Sequence, residues 1–248
     1  MEEQNSLGVI STTVMSYNIQ HGVGMDGQLN LQRIAAVILD SGVCIVGLQE
    51  VDRFFSDRSD YKDQAKEIAS LTGYHYVYGA NLDFGQVGGL AENSQYGNAI
   101  VSKYPILRSD NILLRSFGEE QRGMLHAVVD LDGIHVNVYN THLGLDARSR
   151  LAQVEEIIDL VSRSNQPSIL MGDFNTEPES PEFQRLLESG LFVNSFQDME
   201  NVYTFPSTSP TELIDYILIS PGIKHQNQHV VQTEASDHLP IVVDLVFR

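Results

Sequence analysis

Four carboxylates stand at the ends of strand-like segments of the sequence: Glu50, Asp173, Asp215 and Asp237. Strands that present these acids at one sheet edge would bring them into a common crevice. Four carboxylates placed together repel one another. Either protonation with a raised pKa or a bound hard cation with oxygen ligands relieves that repulsion.

The neighbouring polar residues favour the cation. Asn18 ends an early strand-like run, and Asn175 follows Asp173 by two positions. Amide and carboxylate oxygens with few nearby Lys or Arg suit Mg²⁺, with Mn²⁺ as a substitute, whereas the single Cys excludes a multi-thiolate zinc site. His142 and His238 match the donors that phosphoester cleavage needs. The predicted chemistry is therefore metal-assisted hydrolysis of a phosphoester.

Strands and a few helices alternate along the chain that positions these residues. Apolar or alternating runs predict strands over 9–19, 43–48, 74–78, 98–102, 106–114, 124–131, 136–141, 168–171, 214–219, 229–232 and 241–246. Helical periodicity predicts helices over 29–39, 63–71, 146–162 and 181–187. Predicted loops that surround the crevice are 52–60, 81–95 and 201–212. This pattern favours one domain over residues 1–248, an α+β (α/β layered) fold with two packed sheets and helices outside.

Charge and composition limit the partners. The 15 Lys and Arg stand against 33 Asp and Glu, and the net charge of −18 excludes a basic arm for nucleic acid. Apolar residues make up 42% of the chain, which suits a globular fold with a large core. The acidic N-terminus and the lack of a membrane-spanning apolar run lead us to expect a cytoplasmic protein without a transmembrane segment. No protein partner is predictable.

Seven short motifs, in order along nearly the whole chain, resemble those of the endonuclease/exonuclease/phosphatase superfamily of metal-dependent phosphohydrolases. They are Ser16-Tyr17-Asn18-Ile19, Leu48-Gln49-Glu50-Val51, Tyr96-Gly97-Asn98-Ala99-Ile100, Asn140-Thr141-His142-Leu143, Gly172-Asp173-Phe174-Asn175, Ile214-Asp215-Tyr216-Ile217 and Ser236-Asp237-His238-Leu239-Pro240. Each motif is weak by itself, but seven in one order are specific. The resemblance implies a four-layer αββα sandwich of two mixed sheets, the deoxyribonuclease I-like fold.

The resemblance also implies where the metal and the water would bind. Glu50 would be the principal metal carboxylate, with Asn18 beside it. Asp237 would be a further ligand or would contact one. Asp173 would orient or deprotonate the attacking water.

The remaining motif residues would act on the phosphate. The resemblance implies that Asn175 and His142 hold phosphate oxygens. Asp215 would pair with His238, fix its tautomer and support its charge as it stabilises the pentacovalent phosphate. Two residues would support this set, Asn98 and Arg122. Outside these assignments, His21 and Glu92 are further candidates near the crevice.

The sequence leaves the substrate open. The Asn-Thr-His-Leu motif at His142 is similar to the branch that holds deoxyribonuclease I, sphingomyelinases, inositol-phosphate phosphatases and deadenylases. Leu213 stands where many relatives carry Arg, which removes one positive contact to substrate. The acidic net charge favours a small phosphorylated molecule or a lipid headgroup. The alternatives are a DNA or RNA endo/exonuclease and a phospho-ligand-binding module without turnover.

Overall fold

The computed structural model describes residues 9–86, 89 and 91–247, so the acidic N-terminus and residues 87, 88 and 90 of the predicted loop 81–95 lie outside the described residues. Over that part of the chain, six strands form a first sheet. They are β1 (Ile10–Asn18), β2 (Ile45–Arg53), β3 (His75–Gln86), β4 (Asn93–Ser102), β11 (Lys224–Val230) and β12 (Ile241–Phe247). Their order across the sheet is β11-β12-β1-β2-β4-β3.

A second sheet of six described strands packs against the first. Its strands are β5 (Ile106–Leu113), β6 (Gly123–Leu131), β7 (Ile134–His142), β8 (Ser168–Asp173), β9 (Val193–Asn194) and β10 (Asp215–Ile219), in the order β5-β6-β7-β8-β10-β9. Both sheets are mixed, because β1 and β2 run parallel, as do β7 and β8, while the other neighbours are antiparallel.

Four α-helices of the described chain match the helical periodicity of the sequence within two residues at each end. They are α1 (Leu31–Asp40), α2 (Gln64–Thr72), α3 (Ala147–Val161) and α4 (Pro181–Glu188). Each begins after a side chain that accepts a backbone N–H of the first turn: Asn30, Asp63, Asp146 and Ser180. Among the described helices, none has the length and apolar character needed to cross a membrane.

The alternation of side chains along the strands produces the layers. On β1, Val14 points into the core between the two sheets, whereas Met15 and Tyr17 point to the opposite face. That face packs against α1 and α2, whose buried residues include Leu31, Ile34, Ile38, Ala65 and Ile68. On the far side, α3 and α4 cover the second sheet with Val154, Ile157, Phe183 and Leu186. The predicted four-layer αββα sandwich is confirmed.

Three predicted element boundaries are wrong. The segment 81–95 is not all loop, because β3 continues to Gln86 and β4 begins at Asn93. The first two residues of the predicted loop 52–60 belong to β2. The strand predicted at 229–232 runs instead over Lys224–Val230. The outer part of β3 and all of β11 are exposed or half-buried at sheet edges, so their sequences lack the apolar alternation of a buried strand.

Strand register brings the predicted site together. In the first sheet Asn18 is paired with Gln49, so β1 ends beside the middle of β2. In the second sheet His142 is paired with Asp173, and Asp215 at the start of β10 is paired with the same Asp173. The carboxyl ends of β7 and β8 and the amino end of β10 therefore meet at one edge of the sandwich.

Candidate functional site

Asn18 joins the two sheets at this edge. Its side chain is fully buried, and Nδ2 donates to Glu50 Oε1 at 3.1 Å and to Asp173 Oδ2 at 3.0 Å. Its Oδ1 accepts the backbone N–H of Gln20 at 3.1 Å. One amide thus holds together the carboxylates that the sequence predicts for metal binding and water activation.

Glu50 occupies an irregular position of β2. Its φ of 59° is left-handed, which a residue with a side chain rarely adopts, and the β2–β4 register shifts between Leu48 and Val51. Glu50 Oε2 lies 3.9 Å from His21 Nδ1. Burial opposes ionisation of this carboxyl, but the nearby His21 and the hydrogen bond from Asn18 outweigh it and lower the pKa of Glu50 to about 2.

Asp215 and His238 form the predicted pair. His238 Nδ1 lies 2.9 Å from Asp215 Oδ2, and His238 Nε2 lies 3.7 Å from Asp173 Oδ2. Burial by itself would lower the pKa of His238, but the Asp215 and Asp173 carboxylates raise the pKa to about 10. The two carboxylates therefore favour the imidazolium form of His238, whose Nε2 faces Asp173.

Asp173 is the centre of the cluster and is almost fully buried. Burial, and then the charge of Asp215, raise its pKa to about 7. His142 Nε2 lies 3.4 Å from Asp173 Oδ2. Burial and the positive charge of Arg122 lower the pKa of His142 to about 3, so this imidazole is neutral at pH 7. The two histidines near Asp173 are thus in opposite protonation states.

Asn175 reaches the cluster through its backbone. It has a left-handed φ of 49°, and its N–H donates to Asp173 Oδ1 at 2.9 Å. Its side-chain Nδ2 donates to the carbonyl of Leu143 at 2.9 Å. Because an amide nitrogen carries two hydrogens, the Asn175 side chain keeps a second donor for a phosphate oxygen.

Asp237 lies near Glu50 at the same edge. Ser236 Oγ is 3.3 Å from Asp237 Oδ1 and 2.7 Å from the carbonyl of Asn18. Burial raises the pKa of Asp237, and so does the negative charge of Glu50. Among the described residues, no Lys or Arg forms an ion pair with either carboxylate. Two neighbouring carboxylates without a Lys or Arg partner fit an oxygen-ligated cation.

A different set of atoms is also close enough for a metal. One ligand atom each from Asp173, Asp215 and His238 lies within 4.8 Å of the others. We favour the set at Glu50, because Asp215 Oδ2 and His238 Nδ1 already contact each other at 2.9 Å. Glu50, by contrast, is ionised and offers a hard oxygen donor.

The two predicted supporting residues, Asn98 and Arg122, have different contacts. Asn98 Nδ2 donates at 3.2 Å to the carbonyl of Gly123, so its described side-chain contact is with the backbone at the start of β6. Arg122 is buried, with Nη1 3.0 Å from Glu120 Oε1, and its charge reaches His142. Arg122 therefore acts electrostatically on one of the predicted site residues.

Phe205 is a site residue that sequence reasoning missed. Its ring centroid lies 4.7 Å from that of His238. The sequence favours plain packing for Phe205, and no motif or spacing marks it. His21, a candidate outside the main assignments, does contact Glu50 and follows the Asn18 motif directly. Glu92 is exposed and lines a separate cavity with neighbours that include Arg53.

A family model described as the Endonuclease/Exonuclease/phosphatase family matches residues 15–238. The chain belongs to this family. The match includes all ten predicted site residues and ends at the motif of His238. Members of the endonuclease/exonuclease/phosphatase family hydrolyse phosphoester bonds, typically with a divalent metal. That residues 1–248 form one catalytic domain stays a prediction.

Two solved structures share this fold, and a curated protein is similar in sequence. An endonuclease/exonuclease/phosphatase from Beutenbergia cavernae has 27% identity and a TM-score of 0.80, with 95% of this chain and 71% of that chain covered. A mannosyl-6-phosphatase from Bacteroides thetaiotaomicron shares the fold at 22% identity and a TM-score of 0.74, covering 95% and 100% of the two chains. The protein YbhP of Escherichia coli (strain K12) is 25% identical over 180 residues, 71% of this chain and 68% of YbhP.

Proposed function

We propose that this chain is a Mg²⁺-dependent phosphoester hydrolase in which Asp173 activates the attacking water. The proposal rests on the nitrogen atoms that surround one oxygen, Asp173 Oδ2. It lies within 3.7 Å of three nitrogens, on Asn18, His142 and His238. A water and a phosphate bound at this point would meet a buried carboxylate and N–H donors together, which is the arrangement that hydrolysis requires.

The role that we propose for each residue follows from its charge. The imidazolium of His238 donates from Nε2 to the phosphate oxygen on which negative charge develops, while Asp215 keeps Nδ1 protonated. Neutral His142 and the second amide hydrogen of Asn175 bind other phosphate oxygens. Asp173 accepts the proton of the water. A divalent cation at Glu50, with Asn18 and Asp237 beside it, would neutralise phosphate charge.

A cavity lined in part by Arg122, one of the predicted supporting residues, favours a small substrate. It has a volume of about 260 Å³ and is lined in part by Arg122 and Gly144, which follows His142 by two residues. Its other lining residues include three acids: Glu119, Glu120 and Asp146. Acidic side chains repel the phosphates of a nucleic-acid strand but accept hydroxyl groups. We therefore favour a small phosphorylated molecule, such as a sugar or inositol phosphate or a lipid headgroup, over DNA or RNA.

Hydrolysis of two chromogenic esters tests this function. The full chain is assayed with bis-p-nitrophenyl phosphate and p-nitrophenyl phosphate, each with Mg²⁺, Mn²⁺ or EDTA. Release that needs the metal supports the proposal, and the ratio of diester to monoester rates separates a phosphodiesterase from a phosphatase. Faster cleavage of single-stranded or duplex DNA or RNA than of sugar and inositol phosphates would contradict the small substrate. Metal-dependent binding of these compounds without hydrolysis would favour a module without turnover.

A further inference from the structure

A buried glutamine lies behind the proposed metal ligand. Gln64 begins α2 and is fully buried, although glutamine is usually exposed. Its Oε1 accepts the backbone N–H of Asp52 at 2.9 Å, and its Nε2 donates to the carbonyl of His21 at 2.6 Å. One side chain therefore ties the end of β2 to the turn that carries His21.

The bond to Asp52 compensates for the end of a neighbouring strand. The described parallel pairing of β1 with β2 stops at Asn18 and Gln49. Beyond that point β4 still pairs with β2 on the other edge, where Asp52 faces Tyr96. A buried backbone N–H without a partner is costly, so Gln64 Oε1 takes the place that a longer β1 would fill.

Both segments held by Gln64 contain left-handed backbone. The φ values are 59° at Glu50, 42° at His21 and 79° at Gly22. At residues other than glycine such a conformation persists only where the surroundings hold it. A Cβ on Gly22 would lie 2.6 Å from Leu31 Cδ2 and 3.3 Å from Gln64 Nε2, so the turn packs closely against this amide.

The two segments meet at the Glu50 carboxylate. Its Oε2 lies 3.9 Å from His21 Nδ1, and its Oε1 lies 3.1 Å from Asn18 Nδ2. Asn18 belongs to the regular strand β1. The position of His21, by contrast, depends on an irregular turn. Gln64 contacts that turn directly and contacts β2 two residues beyond Glu50.

We infer that Gln64 is a positioning residue that sets the two turns carrying His21 and Glu50, and thereby the affinity of the site for a divalent cation. The inference rests on the proposed function, in which Glu50 is the principal ligand. Groups that orient a metal ligand typically change metal affinity by about 10- to 100-fold when they are removed. Gln64 acts through Glu50 and need not touch the cation.

Calorimetric titration of the full chain with Mn²⁺ tests this role. Gln64→Met keeps the length of the side chain but removes both hydrogen bonds, and we expect Mn²⁺ to bind about 10-fold more weakly. The matched control is Asn137→Leu. Asn137 is also buried, with its Nδ2 3.0 Å from Ser164 Oγ and its Oδ1 2.9 Å from His126 Nε2, and it lies five residues before His142 on β7. We expect the Mn²⁺ affinity of this control to stay within twofold of wild type, even if its unfolding midpoint falls.

A second variant guards against a folding defect in Gln64→Met. Gln64→Glu keeps an acceptor for Asp52 but loses the donor to His21, and its added negative charge by itself would tighten cation binding. Weaker Mn²⁺ binding by this variant therefore supports lost positioning. Affinity within twofold of wild type in the folded Gln64 variants would overturn the inference and leave the proposed function intact. Absence of Mn²⁺ binding in wild type would overturn the metal site at Glu50 and the inference with it.

Discussion

Asn18 and Asp173 belong to different sheets, yet the side-chain nitrogen of Asn18 lies 3.0 Å from Asp173 Oδ2. The same nitrogen lies 3.1 Å from Glu50 Oε1. The layer that would hold the metal and the layer that would activate water are therefore coupled by one buried amide. The geometry of the site depends on how the two sheets pack as well as on either sheet alone.

Removal of this amide should lower turnover. In Asn18→Ala, Glu50 and Asp173 lose their common donor, and we expect kcat to fall by about 10- to 100-fold with Mg²⁺ present. Steady-state kinetics on bis-p-nitrophenyl phosphate, corrected for folded fraction, measure the effect. Thr13→Val is the control, because Thr13 lies on the same strand and its hydroxyl donates to Asp244, outside the predicted site. A kcat for Asn18→Ala equal to that of Thr13→Val would contradict the coupling.

Asp215 and His238 should behave as one unit. Their side chains are 2.9 Å apart, and we propose that Asp215 acts only through His238. We expect Asp215→Asn and His238→Ala each to lower kcat/KM by about 10²-fold or more, and the double variant to be little worse than His238→Ala. The full double-mutant cycle measures this. Losses that multiply in the double variant would show that the two residues act independently.

The packed sheets and outer helices were predictable because apolar residues recur along the sequence with the period of a strand or a helix. Helices α1 to α4 and the central strands have one or two apolar faces, and these faces form the cores around Val14, Tyr17 and Leu170. The outer part of β3 and the edge strand β11 expose their side chains, so no apolar pattern marked them. The central strands were therefore predictable from their apolar faces, whereas the bounds of β3 and β11 were not.

The grouping of acids and amides at the candidate site followed from residue type and order in the sequence, and their roles stay predictions. The structure brings Glu50, Asp173 and His238 together with the other acids and amides of the ordered motifs. Backbone irregularity was not predictable, because the left-handed φ of Glu50 is maintained by distant contacts rather than by local preference. The same holds for Gln64, whose two partners come from segments remote from α2 in sequence.

An ion pair between α3 and α4 gives a pH-dependent stability. Arg150 Nε lies 2.5 Å from Glu182 Oε1, and Thr176 Oγ1 donates to the same oxygen at 3.1 Å. Burial opposes ionisation of Glu182, but Arg150 outweighs it and holds the pKa of this carboxyl below its usual range. The lower pKa in the folded state means that the unfolded chain binds more protons. The pair therefore stabilises the fold above the usual glutamate pKa and loses this contribution as pH falls through the folded pKa.

Glu182→Gln should lower the free energy of unfolding by about 2 kcal/mol at pH 7, because a neutral amide replaces the carboxylate that pairs with Arg150. The difference from wild type should shrink as pH falls below about 4. Urea denaturation between pH 7 and pH 3.5 measures both. The matched control is Glu155→Gln, whose carboxylate pairs across the same two helices with Arg185 but is exposed, and we expect about 1 kcal/mol or less. A difference for Glu182→Gln that stays constant with pH would contradict this account.

The most direct test of the central claim is the turnover of Asp173→Asn with Mg²⁺, measured beside wild type on the same phosphoester. The substitution keeps the size of the side chain but removes the carboxylate that would accept the proton of water. We predict that the rate falls by about 10²-fold or more while the unfolding midpoint stays near that of wild type. A folded Asp173→Asn variant that hydrolyses the ester at the wild-type rate would contradict the claim.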